Sequence, residues 1–169
     1  RLAAWMILWG VLLDKVDGSA ARLFKATSRF GVEFDSFADF VTFGVAPAAL
    51  VYFRLLALQP DPGFRAMVMV AAGLYVVALA VRLARFNITT GGESVFLGIP
   101  GTLMGAILGA AYLTWEKYGL ATELLRYSPA CLLIGAGLMV SSIRLPKLKM
   151  RRSKVFNAFQ VANIVTSYT

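Results

Sequence analysis

Histidine is absent from the 169 residues, and there is a single cysteine, Cys131. The first absence removes histidine general bases, Cys/His zinc sites and Ser-His-Asp triads. The second rules out an intrachain disulfide. Charge is also scarce, at 15% of residues, with only nine acidic groups in the chain. Nowhere do apolar and polar residues alternate with period two over about ten residues, which argues against a lipid-embedded barrel.

What is abundant is hydrocarbon. The chain is 59% hydrophobic with a mean hydropathy of +0.70, more than a soluble core of this size hides. The apolar residues form runs of about 17 to 25, the length an α-helix needs to cross roughly 30 Å of hydrocarbon. The expected fold is therefore an all-α, polytopic transmembrane helix bundle. Five spans are predicted, near residues 2–17, 35–58, 64–85, 95–115 and 124–143. The whole of 1–169 reads as a single transmembrane domain, with 144–169 as a basic interfacial tail on the cytoplasmic side. The chain opens at Arg1 without an initiator methionine, so an upstream segment is expected to precede it. The first run is not a signal peptide, because acidic residues and a basic loop follow it.

Taken alone, a net charge of +8 suggests nucleic acid, but the basic residues cluster at the ends of apolar runs and do not interleave with aromatics on a polar face. No nucleic-acid partner is expected. Twelve of the 17 basic residues fall on one side of the predicted topology: Lys15, Arg22, Lys25, Arg29, Arg82, Arg85, Arg144, Lys147, Lys149, Arg151, Arg152 and Lys154. The opposite loops hold Arg65, Lys117 and Arg126 beside Asp61, Glu116 and Glu123. Positive charge is retained inside, so the first side faces the cytoplasm.

That side also carries four aspartates. Asp14 and Asp17 are three residues apart and Asp35 and Asp39 four apart, so each pair shares one helix face. The pairs lie on consecutive antiparallel helices joined by a short loop, which allows them to converge. Four carboxylates at a membrane boundary repel one another, so cations must sit among them or some must be protonated. All-oxygen donors favour Mg²⁺, Mn²⁺ or Ca²⁺ over zinc or copper. Two such ions would neutralise a diphosphate and hold it for in-line displacement, with one carboxylate taking a proton from an attacking hydroxyl. Between the pairs, Gly18 and Gly31 permit close approach of a nucleotide, and Arg22 offers a forked pair of donors to phosphate. Read singly, such glycines only relieve helix crowding.

The stretch from Asp14 to Asp39 reads D-x-x-D-G-x-x-A-R-x(8)-G-x-x-x-D-x-x-x-D, with Ala21 and Arg22 at the A-R positions. It resembles the signature of the CDP-alcohol phosphatidyltransferases at all eight fixed positions. The resemblance implies a six-helix fold of which five helices are present here, the first being absent, and a homodimer in the inner membrane of a bacterium or archaeon. It implies that Asp14, Asp17, Asp35 and Asp39 bind Mg²⁺ or Mn²⁺, two ions per site, with Asp39 also the general base. Gly18, Ala21, Arg22 and Gly31 would line the CDP site.

Three weaker segments, Phe43 to Pro47, Arg82 to Asn87 and Phe96 to Pro100, resemble the phosphatidylserine synthase branch. On that resemblance the expected reaction joins CDP-diacylglycerol and L-serine, giving phosphatidylserine and CMP. Arg82, Arg85 and Asn87 end a helix on the cytoplasmic side, where they could bind the acceptor; as plain topology anchors they would instead reach lipid phosphates. Glycerol 3-phosphate or inositol phosphate would need cationic groups too, so these arginines alone do not choose the acceptor. Glu93 is a candidate to orient the serine amine. A divalent-cation transporter would also place acids inside a bundle, and a structural membrane protein could use them to pair helices, but neither explains Gly18, Ala21, Arg22 and Gly31. Gly101, Gly105 and Gly109 share a face and are expected to serve helix packing, within the protomer or between copies. Cys131 is expected to be a small buried apolar residue.

Overall fold

The computed structural model describes residues 1–23, 28–58, 61–89, 95–119 and 126–146, with side chains at these positions other than 17–23, 29, 89, 95–97 and 144–146. Helix α1 spans Leu2–Leu23, α2 Arg29–Asp39, α3 Ala46–Leu56, α4 Pro62–Thr89, α5 Gly101–Tyr118 and α6 Ser128–Val140. A π-helical turn, Phe40–Val45, joins α2 to α3 without a break. Five helical rods result, as the hydropathy predicts. Two are long and apolar enough by themselves to cross a membrane, Phe30–Leu56 and Pro62–Ile88; α6 is shorter.

Each rod buries one stripe. On α1 it is Ala4, Ile7, Leu8 and Val11, spaced three and four apart, and it lies against α5. On α4 it is Val68, Ala71, Ala72, Tyr75, Ala78, Leu79 and Leu83. This makes α4 the central helix, packed on α3, the π turn and α6. The outward faces are equally apolar: Trp5, Met6 and Trp9 on α1, Met69, Val70 and Val77 on α4, and Ile134 on α6 are exposed. No described polar or charged residue is buried in the core. Such a molecule, oily outside and inside, suits hydrocarbon as its solvent.

The glycines of α5 set its approach to the other rods. A Cβ at Gly105 would lie 2.7 Å from Phe43 Cδ1, one at Gly101 would collide with Leu79 Cδ1, and one at Gly109 would touch Leu8 and Ala4. Their shared face therefore packs within the protomer.

The π turn has a local cause. Pro47 lacks the N–H that a regular helix would donate to the Phe43 carbonyl, four residues back. The hydroxyl of Tyr75, which is fully buried, donates to Phe43 O at 2.9 Å in its place. Meanwhile the Ala46 N–H reaches back five residues to Val41 O. A buried acceptor is thus satisfied from the neighbouring rod.

Two expectations need correction. The fourth span does not start near residue 95: Val95–Leu97 is a strand, β1, paired antiparallel with β2, Arg144–Pro146, in the register Val95 to Pro146 and Leu97 to Arg144. Pro100 then opens α5. Strand β2 is the only described part of the expected tail 144–169, since residues 147–169 lie outside the described ones. Between strand and helix, Gly98 has φ +72°, its N–H donates to Ile143 O at 2.9 Å, and a Cβ there would collide with Met139 O. The Ile99 N–H donates to Leu138 O, so the β1–α5 connection is clamped to the end of α6. Finally, Cys131 is exposed. It sits just off the edge of the stripe Pro129, Leu132, Gly135, Ala136 and Met139 that α6 buries.

Candidate active site

Helix α1 crosses the α2–α3 rod where Gly10 meets Thr42: a Cβ on Gly10 would stand 2.6 Å from Thr42 Cγ2. From that crossing Asp14 lies four residues onward along α1, and Asp39 three residues back along the antiparallel rod. Both are about one turn, or roughly 5 Å, to the same side. Asp14 and Asp39 are half-buried, and Asp35, a turn further out, is exposed. The side chain of Asp17 is outside the described residues, as are those of Gly18, Ala21 and Arg22, whose backbone forms the last turns of α1. Among the described residues no three acidic groups form a ready ligand cluster. The donor chemistry, carboxylate oxygen throughout, suits a hard divalent cation.

Gly31 stands in the first turn of α2. Its N–H donates to the Ser28 hydroxyl at 3.0 Å, capping the helix, and a Cβ would crowd that oxygen at 3.1 Å.

The end of α4 lies against α2. Asn87 donates through Nδ2 to Ser36 Oγ at 3.2 Å and to Glu33 Oε2 at 3.3 Å, and the Ser36 hydroxyl lies 3.3 Å from Asn87 Oδ1. Arg82 is half-buried, carries the field of the Asp39 carboxylate, and has a buried Nε without a hydrogen-bond partner. Arg85 points elsewhere: its Nη1 donates at 2.9 Å to Val140 O, one of the last carbonyls of α6. Of the three residues expected at the acceptor, Arg82 and Asn87 therefore face α2, and Arg85 makes a tie to α6. Glu93 and its neighbours 90–94 are outside the described residues.

Glu33 and Ser36 were missed by motif reading because neither is a fixed position. A helical wheel of α2 would have shown them three apart on one face, with Asp39 a turn further along it.

The fold and this site define a helical membrane protein with paired carboxylates on crossing rods at one end of the bundle. Residues 1–142 match the profile of the CDP-alcohol phosphatidyltransferases. The chain belongs to that family. It is similar to the CDP-diacylglycerol–serine O-phosphatidyltransferase of Helicobacter pylori, with 39% identity over 153 residues, 88% of this chain and 62% of the relative. The enzyme of the same name from Bacillus subtilis is 37% identical over 151 residues, 87% of this chain and 76% of the relative. The archaetidylserine synthase of Methanothermobacter thermautotrophicus is 36% identical over 152 residues, 86% of this chain and 58% of the relative. The chain thus spans about three fifths of the length of the Helicobacter pylori protein.

Proposed function

We propose that this protein transfers a phosphatidyl group from CDP-diacylglycerol to the hydroxyl of L-serine. The observation that carries the reading is the eight-position motif laid over the Gly10–Thr42 crossing, which sets Asp14 and Asp39 on the same side of it. Serine as acceptor is supported by the names of the relatives, two of which are serine transferases from different bacteria.

Divalent magnesium or manganese, two ions held by Asp14, Asp17, Asp35 and Asp39, would supply charge neutralisation at the diphosphate. The chain's own residues do the rest. Asp39 takes the proton as the serine oxygen forms its bond to the lipid-linked β-phosphorus. The bond from that phosphorus to the bridging oxygen breaks, and CMP leaves. Gly18, Ala21, Arg22 and Gly31 line the nucleotide, and Arg82, with its unpartnered Nε, offers a cation to the acceptor carboxylate. The site opens at the cytoplasmic face, where twelve of the 17 basic residues gather, and the working form in the bilayer is a homodimer.

The test is direct: purified protein is incubated with CDP-diacylglycerol, Mg²⁺ or Mn²⁺ and labelled serine, and CMP and labelled lipid are measured. Metal-dependent release of both is expected with serine and not with glycerol 3-phosphate or inositol phosphate. If no alcohol releases CMP, the enzyme reading fails; if a phosphorylated acceptor outperforms serine, the acceptor assignment fails.

A further inference from the structure

Glu33 is an acid with no part in the four-aspartate pattern, yet the fold ties it into the same end of the molecule. It extends from α2 on the face that carries Ser36 and Asp39, and the Asn87 amide bridges it to Ser36 across to α4. Beyond Asp39 on that face stands Arg82 with its buried, unpartnered Nε. The order along the α2–α4 seam is therefore carboxylate, hydroxyl and amide, base, guanidinium. That sequence of charges complements a small zwitterion bearing a hydroxyl: ammonium at one end, carboxylate at the other.

The geometry points to Glu33, with Ser36 and Asn87, as the subsite that binds the ammonium group of an amino-acid acceptor and discriminates against acceptors carrying phosphate. The inference rests on the proposed transfer to serine and deepens it. Two physical arguments carry it. A primary ammonium has three donors and no acceptor, and Glu33 Oε2, Ser36 Oγ and Asn87 Oδ1 are three acceptor oxygens gathered by one side chain: Asn87 Nδ2 donates to the first two, and its Oδ1 lies 3.3 Å from Ser36 Oγ. A phosphorylated acceptor brought to the same place would set its negative charge against the Glu33 carboxylate. Rejection of the wrong partner by a like charge is a common route to specificity. The arginines alone, which suit carboxylate and phosphate equally, do not give this discrimination.

No bond is made or broken at Glu33, so its role shows as substrate selection. The experiment compares L-serine with 3-hydroxypropionate, which keeps the hydroxyl and carboxylate but lacks the amine, in wild-type protein, Glu33→Gln and Glu33→Lys. CMP release from CDP-diacylglycerol is followed in each. Glu33→Gln is expected to raise KM for serine about tenfold with little change in kcat, the loss of one charge-assisted contact, and to leave 3-hydroxypropionate unchanged. Glu33→Lys is expected to lower serine use further and to raise the relative use of glycerol 3-phosphate. Glu33 is exposed, so both variants should fold, and their metal-dependent binding of CDP-diacylglycerol serves as the control. If Glu33→Gln depresses both acceptors equally, or neither, the residue is only a helix tie and the subsite is overturned while phosphatidyl transfer stands. If wild-type protein releases CMP with no acceptor, the transfer reading falls and the subsite falls with it.

Discussion

The two ends of the helix bundle handle charge in opposite ways. At the end where α1 begins and α5 finishes, Arg1 Nε meets Glu116 Oε2 at 2.7 Å, Arg54 reaches Glu116 Oε1 at 3.6 Å, and the Arg54 guanidinium lies 4.9 Å over the Trp115 ring. One acid is enclosed by two cations and an aromatic face, so the charges are consumed where they stand. At the other end Asp14 and Asp39 stand to one side of the Gly10–Thr42 crossing, the Arg82 charge acts on Asp39, a π turn interrupts the rod beside it, and the Asn87 amide ties α4 to Ser36 and Glu33 of α2. Carboxylates grouped on one side of a helix crossing suit a site for cations that hold a diphosphate; one acid clasped by two arginines suits a plain helix anchor.

Breaking that contrast should have its largest effect at Asp39. Asp39→Asn removes a proton acceptor while keeping the shape, and transfer to serine is expected to drop at least about a hundredfold. CDP-diacylglycerol should still bind, as followed by equilibrium binding of the labelled lipid. Retained turnover would remove Asp39 from its role as base. Next in size is Gly98→Ala, where a side chain must enter the left-handed region and push into Met139 O. The left-handed conformation and the overpacking together are expected to cost about 2–5 kcal/mol, seen as a lowered unfolding temperature in detergent. An unchanged temperature would mean that the ribbon is not clamped to α6.

Tyr75→Phe should act more gently. It deletes only the hydroxyl that replaces the missing Pro47 N–H, leaving Phe43 O buried without its donor. A loss of about 1–3 kcal/mol is expected. Because the π turn directly follows Asp39, turnover should fall in the same variant, whereas a substitution in the Arg1–Glu116 cluster should spare it. Equal activity in Tyr75→Phe would uncouple the turn from the site.

Much of this was legible in the chain itself. The five rods follow from run length, and the aspartate spacing alone puts each pair on one helix face. Pro47, inside an apolar run, signals a missing helical bond. What replaces that bond is Tyr75, 28 residues further along, and only packing brings it there. Arg85 reads like Arg82 in sequence, since both end an apolar run and a spacing of three keeps them close on α4; only the packing shows that Arg85 ties to Val140 of α6 while Arg82 lies in the field of Asp39 on α2. The ribbon is hidden in the sequence because Val95–Leu97 continues an apolar stretch into α5; Gly98 and Pro100 are the signals of a break. Cys131 was misplaced because α6 is apolar all round, and composition cannot reveal which stripe is buried when hydrocarbon covers the rest.

The smallest effect belongs to the closed end. Glu116 lies just past the predicted span ending at residue 115, and the hydrogen bond from Arg1, with the nearby Arg1 and Arg54 charges, holds its carboxyl below the usual carboxylate range. A depressed folded-state value means that the pair's contribution is complete above the ordinary carboxylate range and is lost as pH falls through the lowered value. Glu116→Gln should therefore leave transfer unchanged at neutral pH and shift the unfolding temperature only slightly, since the pair is partly exposed and screened by salt. The difference between wild type and variant should shrink further on acidification. A variant that instead lost transfer at neutral pH would show that the two ends of the bundle are coupled, and that the ion pairs around Glu116 help to hold the carboxylates around Asp39.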